Sequence, residues 1–241
     1  MRTTANLTKA PKIRLNDRIA VFGMTGSGKS VLAHYLYNTI TAKLPVEKED
    51  PETKERWIEP GFWKICIDVT DSVNLPQALT FYDPYQIPWD QAAALRFVPD
   101  IDELEAQINA LYAEVILHGS CWVWLDEANE VSSAHKTIPG LRKVLLQGRK
   151  FQVGNLSATP RPADISKSIY TQSEHHFIFN IIDEGDRRRI ASNIGLALKD
   201  FDVLMASLPM HGYLWFSVRD QAIFEVPPLP RDIVRILEGE V

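Results

Sequence analysis

Eight residues, GMTGSGKS from Gly23 to Ser30, have the types and spacing to hold a chain of phosphates. They fit G-x-x-x-x-G-K-[ST], with an apolar run before them and a helical pattern after them, as that motif requires. Gly23, Gly26 and Gly28 let the backbone curl, so that successive N–H groups from Met24, Thr25, Ser27 and their neighbours face inward on oxyanions. A helix opening at the end of the loop adds the positive end of its dipole. Lys29 can reach the β and γ phosphates, and the Ser30 hydroxyl can sit on Mg²⁺. The bare pattern arises by chance in roughly one chain of this length in a hundred, and the flanking strand and helix lower that further. The nucleotide expected is ATP, because no guanine-reading N-K-x-D follows the loop.

A second stretch, CWVWLDEANE, is an apolar strand that delivers Asp126 and Glu127 at its end. Phosphoryl chemistry on Mg²⁺ needs one carboxylate for the metal's shell and another to orient and deprotonate the attacking water. Neighbouring residues of a strand point to opposite sides. Asp126 is therefore assigned to the metal and Glu127 to the water, with Glu130 the substitute for Glu127. A third stretch, VGNLSATPRP from Val153 to Pro162, reads as a strand stopped by two prolines that cannot donate ladder hydrogen bonds. By its place in the order it should lie beside the phosphate loop and present Thr159, or less directly Ser157, to the γ-phosphate.

Strands and helices alternate around these motifs. RIAVF (18–22), WKICIDV, ALRFV (94–98), CWVWLDE, 152–158 and HHFIFNI read as strands. Helices are expected from Lys29, over DIDELEAQINALYAEVILHG, around 136–150, after Pro162 and from Asp186. In the second of these, Ile101, Leu104, Ile108, Leu111 and Val115 form one face, Asp100 with Glu103 forms a capping box, and Gly119 ends the helix. Alternation of this kind predicts an α/β fold with a mainly parallel central sheet, here a RecA-like ATPase core. GYLWFSV and QAIFEV around Arg219-Asp220 predict a C-terminal β-hairpin. EKEDPETKER, with eight charges in ten residues, predicts a solvated loop within 45–60, and FYDPYQIPWD (81–90) an ordered surface loop. The organisation expected is an extension over 1–17 and one ATPase domain over 18–241, its hairpin and tail beginning near 208.

Composition bounds the rest. The chain has 241 residues, 45% hydrophobic and 24% charged, with a net charge of −5, enough to bury one sizeable core. An acidic total does not exclude a nucleic-acid partner, because a basic stripe can be hidden in it. No run nears the roughly 18 apolar residues of a membrane span, and the first residues lack a signal-peptide core, so a cytoplasmic protein is expected. Cys66 and Cys121 fall in apolar strands and read as buried thiols. The six histidines show no metal-ligand spacing.

GLRKVLLQGRKFQVGNLSATPRPADISKSI resembles the HerA/FtsK superfamily of hexameric DNA-pumping ATPases, in which a helix ends in a Gly-Arg-like turn and the next strand closes on ATQRP. LPMHGYLWFSVRDQAIFEVPPLPR is similar to that family's closing leucine-proline turn and hairpin. With the phosphate loop and WLDEAN, the likeness runs from about Arg18 to Arg231. One departure is Pro160, which stands where the family has glutamine, so a coupling role of that glutamine must pass to Thr159 or a neighbour. The resemblance implies a homo-oligomeric, hexameric ring in which an arginine of the next subunit completes each ATP site. Arg149 is the matching residue, with Arg142, Lys150 and Arg161 as alternatives. A pump also needs basic residues along its channel, and Arg187 to Arg189 form the densest cluster. Without a membrane region, N-terminal barrel or winged-helix tail, the chain is most similar to the genome-packaging ATPases of membrane-containing double-stranded DNA viruses. That implies double-stranded DNA and capsid or portal-vertex proteins as partners, and a place in the host cytoplasm or with the virion.

Overall fold

A computed structural model describes residues 12–51 and 53–231; the expected extension before residue 12 and the tail after 231 lie outside the described residues. In chain order the strands are β1 (Arg18–Phe22), β2 (Val46–Glu49), β3 (Arg56–Glu59), β4 (Trp63–Ile67), β5 (Leu79–Phe81), β6 (Ala94–Phe97), β7 (Cys121–Leu125), β8 (Val153–Thr159), β9 (His175–Ile178), β10 (Tyr213–Ser217) and β11 (Ala222–Val226). The helices are α1 (Lys29–Thr39), α2 (Leu104–His118), α3 (Pro139–Gln147), α4 (Lys167–Gln172), α5 (Glu184–Asn193) and α6 (Leu198–Ser207).

Nine strands form one sheet in the order β11-β10-β9-β1-β8-β7-β4-β6-β5. From β9 to β5 every pairing is parallel, and the antiparallel hairpin β10–β11 closes one edge. β8 lies between the strand that leads into the phosphate loop and the strand that carries the carboxylates, as its place in the order predicted. Its register sets Thr159 level with Phe22, the last residue before the loop.

Apolar side chains on both faces of the central strands explain why helices cover both. On one face α1 packs through Leu32, Ala33 and Tyr37 against Trp122, Trp124 and Leu156. On the other, α2 and α3 pack through Ile108, Leu111, Val144 and Leu145 against Ile65, Val123 and Val153. Cys66 and Cys121 are buried free thiols. Lys64, within the buried β4, is accommodated because its ammonium donates to the Tyr37 and Ile40 carbonyls at the end of α1 (2.9 and 3.0 Å). β8 carries polar groups on the α2 face, and these are paired. The Tyr112 hydroxyl donates to Asn155 Oδ1 (2.8 Å), whose amide donates to Ser157 Oγ (2.8 Å).

Several expectations need correction. The charged stretch within 45–60 is not a loop throughout: β2 and β3 form an exposed hairpin in which Arg56 pairs across the ladder with Glu49 (2.9 Å). Its high charge masked strands that are held by cross-strand ion pairs instead of burial. The aromatic segment from Phe81 begins as the end of β5. The helix expected over 136–150 stops at Gln147 and continues as a 3₁₀ turn to Phe151, and the helix expected from Asp186 begins at Glu184 behind an Asp183 cap. α6 was not anticipated. The capping box is half formed: Asp100 accepts from the Asp102 N–H, but Gln107, not Glu103, accepts from the Asp100 N–H (both 2.9 Å). Ile101 stays exposed in a 3₁₀ turn ahead of α2.

Gly154 marks the tightest backbone approach beside the central strands. A Cβ there would lie 2.2 Å from the Leu15 carbonyl oxygen and 2.6 Å from Trp122 Cδ1. Gly154→Ala is expected to destabilise the fold by about 1–3 kcal/mol. Urea unfolding checks this, and an unchanged midpoint would contradict the packing described.

Candidate nucleotide site

The site assembles at the carboxyl ends of β1, β7 and β8, the edge at which parallel sheets bind ligands. After β1 the chain turns through Gly23, where a Cβ would come within 2.6 Å of Phe179 Cβ and 2.7 Å of Ser27 Oγ. Gly28, with φ 106°, is the left-handed residue that admits the chain into α1. The Ser27 hydroxyl is buried and makes no hydrogen bond in the structure, while the Ser27 N–H donates to the Met24 carbonyl (3.2 Å). Lys29 Nζ lies 3.5 Å from the Met24 carbonyl oxygen. Ser30 is exposed at the start of the helix. Such a cradle, with an unpaired hydroxyl and an ammonium folded back on a carbonyl, fits a polyanion that would replace those contacts.

Asp126 is buried at the end of β7, and its N–H donates to the Ile67 carbonyl (3.1 Å). Glu127 is half-buried and adopts left-handed backbone, φ 52° and ψ 55°. The two carboxylates therefore do not diverge as strand residues would, and both act electrostatically on Lys29. Backbone strain of this kind costs of order 1–3 kcal/mol and concentrates at working sites. Burial raises the Asp126 carboxyl to about 7, with Glu127 and Asp68 adding to the rise and Lys29 opposing it. Burial also raises Glu127, against the pull of Lys29, and lowers Lys29. The donor set is thus short of positive charge, which is the condition a divalent cation on Ser30 and Asp126 would relieve.

Two residues of this edge escaped sequence reasoning. Asp68 ends β4 as Asp126 ends β7; it is fully buried and held by Arg96 (2.6 Å) and by the Ser72 and Val73 N–H groups. Its signal was present as WKICIDV, an apolar strand closed by an aspartate. Asn129, in the 3₁₀ turn after Glu127, accepts from the Thr159 hydroxyl (3.1 Å) and donates to Glu130 (2.7 Å). That bond joins the carboxylate turn to the end of β8. Thr159 Oγ1 also accepts from the Arg161 N–H (3.1 Å). Ser157 lies deeper, fully buried within the sheet.

The candidate arginines are dispersed. Arg149 precedes β8 and so sits at the opposite edge of the sheet, about 20 Å of strand from the phosphate loop. There it pairs with Glu174 (2.9 Å) and approaches Asp17 (3.6 Å). Burial pushes the Asp17 carboxyl up, but hydrogen bonds from His175 and the Arg14 N–H, with the charges of His175 and Arg219, outweigh it and hold Asp17 at about 2. Arg142 is exposed in the first half of α3 and Lys150 is exposed just before β8, whereas Arg161 comes two residues after Thr159. Arg187 pairs with Asp202 (2.9 Å), Arg188 with Glu184, and Arg189 lies over the Tyr170 ring. The Arg187–Arg189 cluster is thus engaged on its own and neighbouring helices. Among the described residues no group of three or more His, Cys, Asp or Glu side chains is placed to hold a metal ion, and none of their helices is long and apolar enough to cross a membrane.

A nine-stranded, mostly parallel sheet with this loop and these strand ends is an α/β fold of the RecA-like P-loop kind. No family model and no curated protein matches the chain. Among solved structures it is similar to the genome-packaging NTPase B204 of Sulfolobus turreted icosahedral virus 2 in complex with AMPPCP, at a TM-score of 0.68 and 18% identity, covering 90% of this chain and 100% of that one. The DNA-packaging ATPase B204 of Sulfolobus turreted icosahedral virus matches at 0.61 and 17%, covering 89% and 98%. EssC ATPases 2 and 3 from Geobacillus thermodenitrificans match at 0.52 and 15%, covering 93% and 43%.

Two measurements probe the site. Asp126 must lose its proton before it can hold a cation, so Mg²⁺-dependent nucleotide affinity is expected to rise from pH 6 to pH 8, by up to about tenfold per unit below 7. Calorimetric titration at the two pH values reads it; an affinity that falls with pH would contradict the assignment. Asn129→Ala, which frees Thr159 from the carboxylate turn, should lower kcat about tenfold, the worth of one hydrogen bond, with nucleotide Kd held.

Proposed function

We propose that the chain hydrolyses ATP to drive double-stranded DNA, as the genome-packaging motor of a virus working in a homo-oligomeric, hexameric ring. The observation that carries the reading is the contiguity of Gly23–Ser30, Asp126–Glu127 and Thr159 on three adjacent strand ends, in a fold that aligns over nearly all of a packaging NTPase.

Each residue has a physical part. The N–H groups from Gly23 to Ser30 and the start of α1 bind the phosphates, and Lys29 offsets the charge gathering between the β and γ groups. Ser30 and Asp126 would hold Mg²⁺, which supplies further neutralisation of the phosphate oxygens. Glu127, with its carboxyl raised by burial, receives the proton of the attacking water. Thr159 and Asn129 tie the γ-phosphate end of the site to β8, so that loss of the phosphate alters a bond between two strand ends. This gives Thr159 the coupling part that Pro160 cannot play. Arg149, remote from its own phosphate loop, acts on the next subunit's nucleotide, where a cation in trans makes turnover depend on assembly. Capsid or portal-vertex proteins would anchor the ring in the host cytoplasm or on the virion.

ATPase rate with and without double-stranded DNA, across salt concentrations, tests the reading. Stimulation by the duplex that weakens with salt is expected; a rate indifferent to DNA at low and moderate salt favours an ATPase that moves protein or assembles virions. Mixing Arg149→Ala with Glu127→Gln subunits should partly restore a rate that neither has alone, and no rescue would remove Arg149 from its trans role.

A further inference from the structure

A cavity of about 630 Å³ opens beside the phosphate loop. One end of it is the start of α1, including Lys29 and Ser30. The other end comes from parts of the chain far away in sequence: Phe179 after β9, His211 and Tyr213 at the entry to β10, and Pro228, Leu229 and Arg231 after β11. Phosphate binding does not require this second end. A smaller cavity of about 300 Å³ lies past Met210 and His211 and touches neither Lys29 nor Ser30, so only the larger one continues from the cation and hydroxyl of the phosphate site.

The walls of the larger cavity are fixed. Phe179 lies against Gly28, where an added Cβ would meet its ring at 3.2 Å, and its ring packs on Tyr213 at 4.8 Å between centroids. His211 adopts left-handed backbone, φ 61°, and its Nδ1 lies 3.3 Å from the Ser27 carbonyl oxygen, tying this wall to the loop. The lining is aromatic, aliphatic and cationic, and among the described residues it contains no carboxylate and no side-chain amide. Pro227, Pro228 and Pro230 also remove three backbone donors from the segment that follows β11.

We propose that this cavity takes the nucleobase of the bound triphosphate by stacking and apolar contact, and that it accepts adenine and guanine almost equally. Guanine is read against adenine by an acceptor for its N1–H and amino group, usually a carboxylate, and adenine by an amide or a donor–acceptor pair. The polar side chains on this wall, Arg231, His211 and the Tyr213 hydroxyl, can donate to N7, which both purines share. A lining with neither a carboxylate nor a side-chain amide to leave unsatisfied discriminates weakly between the purines, whereas one built around such groups rejects the wrong ligand by orders of magnitude. The expected substrate class is purine nucleoside triphosphates, which makes the chain broader than an enzyme confined to ATP. This rests on the nucleotide-hydrolysing reading of the phosphate loop above.

The test is equilibrium binding of ATP, GTP and inorganic triphosphate, each with Mg²⁺, to the full chain and to Leu229→Ala. Leu229 is half-buried and lies outside the sheet, after the end of β11. ATP and GTP should bind within about tenfold of each other. Leu229→Ala should weaken both by a similar factor, roughly tenfold, while inorganic triphosphate binds as before. A preference for ATP beyond tenfold overturns the inference, as does a Leu229→Ala loss shared by inorganic triphosphate. If the wild-type chain binds none of the three, the phosphate-loop reading falls and takes this one with it.

Discussion

The parallel pairing of β8 between β1 and β7 is the constraint on which the site depends. β8 is buried along its whole length, yet one of its faces carries Asn155, Ser157 and Thr159. A buried polar group without a partner costs about 1–3 kcal/mol, so a change of register would leave these groups unmatched as well as misplace the apolar ones. In the observed register Asn155 and Ser157 satisfy one another and Tyr112, and Thr159 meets Asn129. The same register brings the end of β8 level with the entry to the phosphate loop. Gly154 permits it, because the chain before β1 passes too close for a side chain.

Electrostatics at the carboxyl edge follow from that packing. Asp126 and Glu127 share one lysine, Asp68 adds its charge to that of Glu127 on Asp126, and Asp68 is itself paired with the Arg96 guanidinium. Burial removes the water that would otherwise screen them, so Asp126 holds its proton to about neutral pH. Such an arrangement is costly to the free chain and favourable once a cation and a polyphosphate enter, which is how a site can be poised for its ligand at the expense of its own stability.

The amino edge of the sheet is organised differently. Asp17, Glu174, Arg18, Arg149, Arg219 and His175 form a compact network there. The Trp215 indole donates to His175 Nδ1 (3.2 Å), and His175 Nε2 lies 3.2 Å from Asp17 Oδ2, so the imidazole is held between the hairpin and the chain before β1. Arg149 is shared between two carboxylates and remains half-exposed. The two edges thus separate two jobs, a cation-poor phosphate site on one and a guanidinium-rich surface on the other. A ring in which one subunit's amino edge faced its neighbour's carboxyl edge would bring them together.

Local patterns were enough to determine the α/β class, the phosphate loop, the Asp126–Glu127 strand end and the β10–β11 hairpin. Each depends on residues adjacent in the chain, where glycine freedom, strand length and apolar alternation act directly. The hairpin of β2 and β3 was misread because its strands are stabilised by charge pairs across the ladder, which a scan for burial does not register. The part of Asn129, the crowding by Asp68, the cavity between α1 and the segment after β11, and the placing of Arg149 with Asp17 and Glu174 were decided only by the tertiary structure. These depend on which strands become neighbours and in what register, and hydrogen bonds and charges act through distances that sequence separation does not set.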